Sequence, residues 1–322
     1  MDFKKALDLI RGAQSILLTM HEGPDGDDLG SVLAMKAFLQ TIGKQPLICI
    51  RGAVPQNLAF LPGSDEVTEQ FPVDKLDLAI AFGCNKLART GLPQLEAAAI
   101  PVIVFDHHPD NTNFGTVNVV DPSTAAVAEL VYYFLQYAQA DITKVIATCL
   151  LTGIFTDTGG FKHANTPAQA LEAAAGLLKK GARIDRIAMQ TMGRKRPAAI
   201  RAWAKGLENT RFDPQKKMVF SVMAEEDLHQ VGATDEDLDG FVELLNHLPQ
   251  AKFALVLRQD GDAVKGSLRS EPEKNVDVSK IAKSFGGGGR RSAAVSKIRG
   301  CLAKRGEIWR VAGRSGLSGN FD

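Results

Sequence analysis

The chain has 322 residues, of which 45% are hydrophobic and 23% charged, as in ordinary globular proteins. Its 38 basic and 37 acidic side chains nearly cancel, which excludes a uniformly basic nucleic-acid coat. No run approaches the ~18 consecutive apolar residues of a membrane helix, and the first residues lack the apolar core of a signal peptide, so we expect a cytoplasmic protein without membrane contacts.

Short aliphatic runs alternate with amphipathic segments in the first half of the chain. The runs predict buried strands, and the segments between them predict helices such as Leu29–Ile42 and Ala125–Tyr137. The predicted strands are Ser15–Thr19, Pro46–Ile50, Leu76–Phe82 and Pro101–Phe105. Strands and helices that alternate in this way predict an α/β fold with a parallel sheet.

About two domains of ~150 residues fit this length, and the pattern changes near residue 193. We therefore predict a catalytic domain over 1–192, a linker over 193–215 and a smaller α/β domain over 216–322. In the second domain, the predicted strands are Met218–Met223, Phe253–Arg258 and Lys265–Arg269, and the predicted helix is Asp235–Leu248.

The first chemistry-bearing segment is His21–Ser31, which follows the first predicted strand and opens a helix. Ligands of open parallel sheets gather at the carboxyl ends of strands, so His21, Asp25 and Asp27 are well placed for a metal ion or a phosphate. Aspartate is also a preferred residue at helix starts, and Asp25 or Asp27 as a helix N-cap is the alternative interpretation.

A second segment, Asp106-His107-His108, directly follows the strand Pro101–Phe105. Adjacent histidines after a strand point in opposite directions, so one can bind a metal while the other faces a substrate phosphate. Two surface histidines are the alternative.

Asp157 follows an apolar helix and would by itself most often be a cap or turn residue. Together with His21, Asp25, Asp27 and His107 it supplies imidazole and carboxylate donors, whereas the four cysteines are far apart and form no CxxC pair. This donor set favours Mn²⁺ or Mg²⁺ over zinc. Two such ions can activate water for hydrolysis of a phosphoester.

The run Gly286–Gly289 with Arg290 and Arg291 lies in the second domain. Consecutive glycines let backbone N–H groups approach an anion, and the arginines can pair with phosphate. Arg269, at the end of a predicted strand, could reach the same anion. A flexible linker and an exposed arginine are the alternatives.

Together these segments resemble the DHH/DHHA1 phosphoesterase superfamily, specifically its RecJ-related nanoRNase and 3′-phosphoadenosine 5′-phosphate phosphatase group. The resemblance covers almost the whole chain. It is carried by His21–Ser31, Asp106-His107-His108, Asp157, Ser267–Ser270 and the glycine run, in the family's order and spacing.

The resemblance implies that the first domain binds two Mn²⁺ ions, with Mg²⁺ as the second choice, and that the active site lies in a cleft between the domains. His21 and Asp25 would hold one ion, and Asp27, His107 and Asp157 the other. His108 would contact the scissile phosphate and assist proton transfer, so that His108 and Asp27 are the expected catalytic residues. The expected substrate-binding residues are Arg269, Gly286, Gly287, Gly288, Gly289 and Arg290.

Three positions depart from the family pattern. Gly83 stands where the family has an aspartate that bridges the metals, so we expect one metal site to be weakened; Asp28, usually a small residue, could partly compensate. Arg290 replaces a histidine of the glycine motif. Val295 replaces a glycine, which would be strained if that position needed a left-handed backbone.

The expected activity is hydrolysis of very short oligonucleotides, 3′-phosphoadenosine 5′-phosphate, or both, by a metal-activated water. A nucleotide-binding homologue with weak or no catalysis is the alternative that Gly83 and Arg290 favour, and a cyclic-dinucleotide phosphodiesterase differs only in substrate. No residue pattern specifies an oligomeric state, and a homodimer stays open.

Overall fold

A computed structural model describes residues 2–193, 195–305, 308–312 and 318–319. The chain divides into two units, Met1–Arg194 and Lys195–Asp322. Among the described residues, no helix is both long and apolar enough to cross a membrane.

The first unit alternates strands with helices. Its elements are α1 (Phe3–Gly12), β1 (Ile16–Met20), α2 (Gly26–Thr41), β2 (Leu47–Ile48), β3 (Leu78–Phe82), α3 (Pro93–Ala97), β4 (Val102–Asp106), β5 (Val117–Val120), α4 (Val127–Tyr137), α5 (Lys144–Asp157), α6 (Ala168–Lys179) and α7 (Ile184–Ala188). The described strands form a sheet in the order β2-β1-β3-β4-β5, and every neighbouring pair is parallel. The predicted parallel α/β sheet is confirmed.

The register aligns the carboxyl ends of the central strands. Met20 pairs with Phe82, and Phe82 pairs with Phe105. All five residues of β1, of β3 and of β4 are buried, because an all-parallel sheet is covered on both faces and its strands are therefore apolar throughout. Whatever follows these strands in sequence lies at one edge of the sheet.

Several boundaries differ from the predicted ones. Helix α2 begins at Gly26, three residues before the predicted start, because Asp25 caps it. Strand β2 is reduced to two residues, and β5 pairs with β4 although its short run was not predicted.

The second unit is smaller and rich in strands. Its elements are α8 (Pro197–Glu208), β6 (Arg211–Asp213), β7 (Met218–Met223), α9 (Glu225–Val231), α10 (Phe241–Asn246), β8 (Phe253–Asp260), β9 (Ala263–Arg269), α11 (Val278–Ser284), β10 (Gly288–Gly289), β11 (Ala293–Arg299), β12 (Cys301–Arg305), β13 (Ile308–Ala312) and β14 (Ser318–Gly319). One sheet has the order β10-β11-β9-β8-β7-β6, in which β7 and β8 are parallel and the other pairs antiparallel. Strands β12, β13 and β14 form a separate antiparallel sheet.

Two predicted segments of this half have a different structure. The segment 193–215, expected as a linker, contains α8 and β6. The predicted helix Asp235–Leu248 is divided, because Gly240 has φ 85° and separates a 3-10 turn from α10.

Candidate metal centre

The candidate ligands of the first unit meet at the carboxyl edge of the parallel sheet. His21 directly follows β1, and His107 directly follows β4. Asp157 is the last residue of α5, while Asp25 and Asp27 lie at the start of α2. Residues distant in sequence are therefore brought together by the ends of the elements that carry them.

One group of ligand atoms consists of His21, Asp25 and Asp28, whose donor atoms all lie within 4.8 Å of one another. Nε2 of His21 is 2.7 Å from Oδ2 of Asp28 and 3.4 Å from Oδ2 of Asp25. The other ring nitrogen, Nδ1, is 2.8 Å from the carbonyl oxygen of Glu22. This second contact orients the ring so that Nε2 faces the carboxylates, as is usual for metal-binding histidines.

Asp25 is the helix N-cap that the sequence offered as an alternative to a ligand. Its Oδ1 accepts a hydrogen bond of 2.9 Å from the backbone N–H of Asp28. Since capping occupies Oδ1 and Oδ2 faces His21, the two interpretations are compatible.

The second group consists of Asp27, His107 and Asp157, again with donor atoms within 4.8 Å of one another. Nε2 of His107 lies 3.8 Å from Oδ2 of Asp157, and Nδ1 is 3.2 Å from the carbonyl oxygen of Thr124. As in the first group, a backbone carbonyl orients the imidazole.

Asp27 is fixed by the first turn of α4. Its two carboxylate oxygens accept hydrogen bonds of 2.7 and 2.8 Å from the backbone N–H groups of Val127 and Ala128. Helices α2, α4 and α5 pack closely here. A Cβ at Gly153 of α5 would lie 2.6 Å from the Cβ of Ala128 and 3.0 Å from Oδ1 of Asp27. Glycine at 153 thus leaves the space that the Asp27 carboxylate occupies.

The electrostatics of both groups suit a cation. Burial raises the pKa of Asp27 well above its ordinary value, and the negative charge of Asp157 raises it further. Burial lowers the pKa of His21, but its hydrogen bonds to the carboxylates of Asp25 and Asp28, together with their negative charges, outweigh that effect and hold the pKa well above its usual range. A positive charge is therefore favoured at this edge.

The donor set itself fits a divalent metal ion. It contains imidazole nitrogens and carboxylate oxygens without thiolate, the chemistry of Mn²⁺ or Mg²⁺ sites. The five ligands that the resemblance implied fall into the two expected groups, and Asp28 joins the first of them.

Asp106 and His108 form a separate hydrogen-bonded pair beside these groups. Nδ1 of His108 is 2.7 Å from Oδ1 of the fully buried Asp106, and Asn111 donates to the other carboxylate oxygen. These bonds lower the pKa of Asp106, although burial acts in the opposite direction. Asp106 and Asn111 were not singled out as site residues, since only the hydrogen-bond network reveals their role in orienting His108.

In the second unit, Arg269 is held by a carboxylate. Its Nε donates to Oε1 of Glu243 at 2.7 Å, and Nη1 donates to the carbonyl oxygen of Leu268 at 2.9 Å. Glu243 lies on α10, 26 residues away, and the sequence offered no signal for this pair.

The glycine run was predicted to bind an anion or to form a flexible linker, and part of it forms a strand. Gly288 and Gly289 form β10, which pairs with Val295 and Ala294 of β11. A Cβ at Gly287 would overlap the carbonyl oxygen of Val295, so close contact with β11 requires glycine there. Val295 lies in an extended strand, and the strain considered for this position does not arise.

The chain belongs to the DHH family, as the motifs predicted. Residues 15–154 match the model of the DHH family N-terminal domain, and residues 215–308 match that of the DHHA1 domain. The bifunctional oligoribonuclease and PAP phosphatase NrnA of Thermus thermophilus is 32% identical over 289 residues, which are 88% of this chain and 84% of that protein.

Two solved structures have folds similar to that of this chain. An exopolyphosphatase-related protein from Bacteroides fragilis has a TM-score of 0.86 and 25% identity, covering 91% of this chain and 90% of that one. RecJ of Thermus thermophilus, solved in complex with Mn²⁺, has a TM-score of 0.54 and 14% identity, covering 92% of this chain and 51% of RecJ. The RecJ similarity concerns the fold alone.

Proposed function

We propose that the protein is a metal-dependent phosphoesterase that hydrolyses short oligonucleotides, 3′-phosphoadenosine 5′-phosphate, or both. The observation that carries this proposal is that two clusters of imidazole and carboxylate side chains lie at the carboxyl edge of the sheet. The Thermus relative is named as both an oligoribonuclease and a phosphatase of PAP, which is 3′-phosphoadenosine 5′-phosphate, and this supports the two proposed substrates.

Two Mn²⁺ ions, or Mg²⁺ in their place, would be held by His21 and Asp25 in one group and by Asp27, His107 and Asp157 in the other. When bound, such ions supply an activated water for attack on phosphorus and neutralise the charge that develops on the phosphoryl oxygens. The chain contributes the fixed orientation of these donors through the backbone contacts of His21, His107 and Asp27.

His108 is the proposed proton donor to the leaving oxygen. Because Asp106 accepts a hydrogen bond from Nδ1, a proton transferred by this ring passes through Nε2. The buried Asp106 carboxylate also fixes the orientation of the ring, so that Nε2 is held in one direction. His108 is 30% exposed, so a substrate can reach it.

Substrate binding is assigned to Arg269, Arg290 and the glycine run of the second unit. The two hydrogen bonds described for Arg269 use two of the five N–H donors of a guanidinium group, and the remaining donors suit a phosphate.

The test is hydrolysis of a labelled dinucleotide and of 3′-phosphoadenosine 5′-phosphate, measured while Mn²⁺ is titrated. We expect turnover that requires Mn²⁺ and is lost in Asp157→Asn, whereas Asp8→Asn, an exposed site on α1, leaves it unchanged. Binding of both compounds without turnover at any Mn²⁺ concentration would refute the proposal and favour the nucleotide-binding alternative. Faster hydrolysis of a cyclic dinucleotide than of either compound would replace the proposed substrate.

A further inference from the structure

A carboxylate from helix α2 occupies the space beside the end of strand β3. Gly83 directly follows β3 and has φ 60°. A Cβ built on Gly83 would overlap the carboxylate atoms of Asp28. The Asp28 carboxylate and a side chain at position 83 therefore exclude each other, and glycine at 83 leaves room for Asp28.

Asp28 is also directed at the first group of candidate ligands. Only 3% of its surface is exposed, and its Oδ2 lies 2.7 Å from Nε2 of His21. The neighbouring residue on α2, Asp27, belongs to the other group. Two consecutive aspartates thus give one carboxylate to each group.

We propose that Asp28 is the third protein ligand of the cation held by His21 and Asp25, and that its carboxylate reaches this position because glycine at 83 leaves the space beside the end of β3 open. This inference rests on the proposed function, since it assigns a ligand within the same metal centre. His21 and Asp25 alone would offer two donors, whereas Asp28 adds a third that is already within reach.

The charges of the two groups support this assignment. With Asp28, the groups contain four carboxylates, namely those of Asp25, Asp27, Asp28 and Asp157, which balance two divalent cations. Without it, three carboxylates would face the same four positive charges. Asp27 and Asp28 are buried, and buried charges are stable only when they are paired, so the four-carboxylate set favours occupation of both sites.

A simpler role for Asp28 is pairing with a protonated His21. That role gives Asp28 no part in holding a metal, because a histidine must be deprotonated to bind one. Loss of Asp28 would then leave metal affinity intact, which separates the two roles experimentally.

The structure suggests an exchange experiment. Asp28→Ala removes the carboxylate, and Gly83→Asp in the same chain returns one from the β3 side into the vacated space. Aspartate and asparagine tolerate a positive φ better than most residues, so Asp28→Ala/Gly83→Asn is the matched control without the charge. Asp28→Asn is a further variant that keeps the shape of the native side chain. Folding of each variant is checked by circular dichroism.

Mn²⁺ binding is measured by equilibrium dialysis without substrate, and bound ions are observed by electron paramagnetic resonance. We expect two ions per native chain, and in Asp28→Ala and Asp28→Asn a second ion bound at least about tenfold more weakly, equivalent to about 1.4 kcal/mol. The Asp exchange variant regains the second ion, and the Asn exchange variant does not. Gly83→Asp with Asp28 retained binds more weakly than the native chain, because two side chains compete for one space.

Tight binding of both ions by Asp28→Ala would overturn the inference and leave the proposed function standing. Equal recovery in the Asp and Asn exchange variants would overturn it as well, because a carboxylate would then not be the cause. A native chain that binds no Mn²⁺ would overturn both the inference and the metal-dependent function.

Discussion

In the first unit, candidate site residues come from the ends of separate elements and face one another. In the second, Arg269 faces Glu243, and Gly287 packs against the backbone of β11. Parallel strands with aligned carboxyl ends bring distant side chains to one edge, and the cost is a set of buried carboxylates that repel one another. Arg269 of the mixed sheet carries no comparable cost, because the carboxylate of Glu243 pairs with its guanidinium group.

The comparison separates residues that lower the stability of the protein and serve its function from residues that stabilise the fold. Asp27 lies among the negative charges of Asp157, Asp28 and Asp25, an arrangement that folding alone disfavours and that a bound cation explains. Arg269 already has a complementary partner in Glu243, and this pair stabilises the fold with or without a ligand. Substitutions in the two units should therefore affect activity and stability in different proportions.

The largest effect is expected for Asp157→Asn in the first unit. Removal of one donor from the second group should lower kcat/KM at least about 1,000-fold, since the metal supplies several kcal/mol of charge stabilisation. The metal-free protein should become more stable, because relief of the negative charge beside the buried Asp27 outweighs loss of the 3.8 Å contact between Asp157 and His107. A relief of about 1 kcal/mol corresponds to a rise in Tm of about 2–4 °C.

Calorimetry with and without Mn²⁺, together with initial rates, checks this prediction. Asp8→Asn serves as the control for loss of a carboxylate elsewhere. A lower Tm of the metal-free Asp157→Asn protein would contradict the idea that this edge is electrostatically strained.

The next effect is expected for His108→Ala. Loss of a proton donor should reduce kcat about 100-fold, the lower end of the range for general acid catalysis, while Mn²⁺ binding stays unchanged. Asp106→Asn should cause a smaller loss, because it disturbs the orientation of His108 and leaves the ring in place. His229→Ala, an exposed histidine on α9, is the control. Unchanged kcat in His108→Ala would remove this residue from the proposed chemistry.

Some parts of the molecule can be predicted from the sequence and others cannot. Buried aliphatic runs predicted β1, β3 and β4, because strands covered on both faces are apolar throughout. Residues after these strands were natural candidates for a ligand site, since parallel strands end at one edge.

The remaining features depend on three-dimensional proximity. Sequence spacing could only suggest Asp28 as a partial substitute, because its position relative to Gly83 is set by how α2 lies beside β3. The Arg269–Glu243 pair joins two elements with no shared pattern. The helix start at Asp25 was predictable as a cap, but the simultaneous direction of Oδ2 toward His21 was not.

In the second unit, Gly287→Ala tests the structural role of the glycine run. The added Cβ would overlap the Val295 carbonyl, and we expect a loss of about 2 kcal/mol in the free energy of unfolding, as for other overpacked sites. Gly288→Ala is the matched control, because a Cβ there meets no atom within 4 Å. Urea denaturation measures both variants. Equal losses in the two would show that the effect arises from reduced backbone freedom and not from the contact with β11.

The smallest effect is expected for Arg269→Ala. If its guanidinium binds the substrate phosphate, the loss of this cation should raise KM about tenfold, the value of one charge-assisted hydrogen bond, and leave kcat nearly unchanged. Glu243→Gln keeps an acceptor oxygen for Nε of Arg269, so KM should stay within about twofold of the native value. Steady-state kinetics with 3′-phosphoadenosine 5′-phosphate separates the two variants. An unchanged KM in Arg269→Ala, accompanied by equal destabilisation of both variants, would mean that this pair only joins α10 to β9, and the comparison between the two units would then hold without exception.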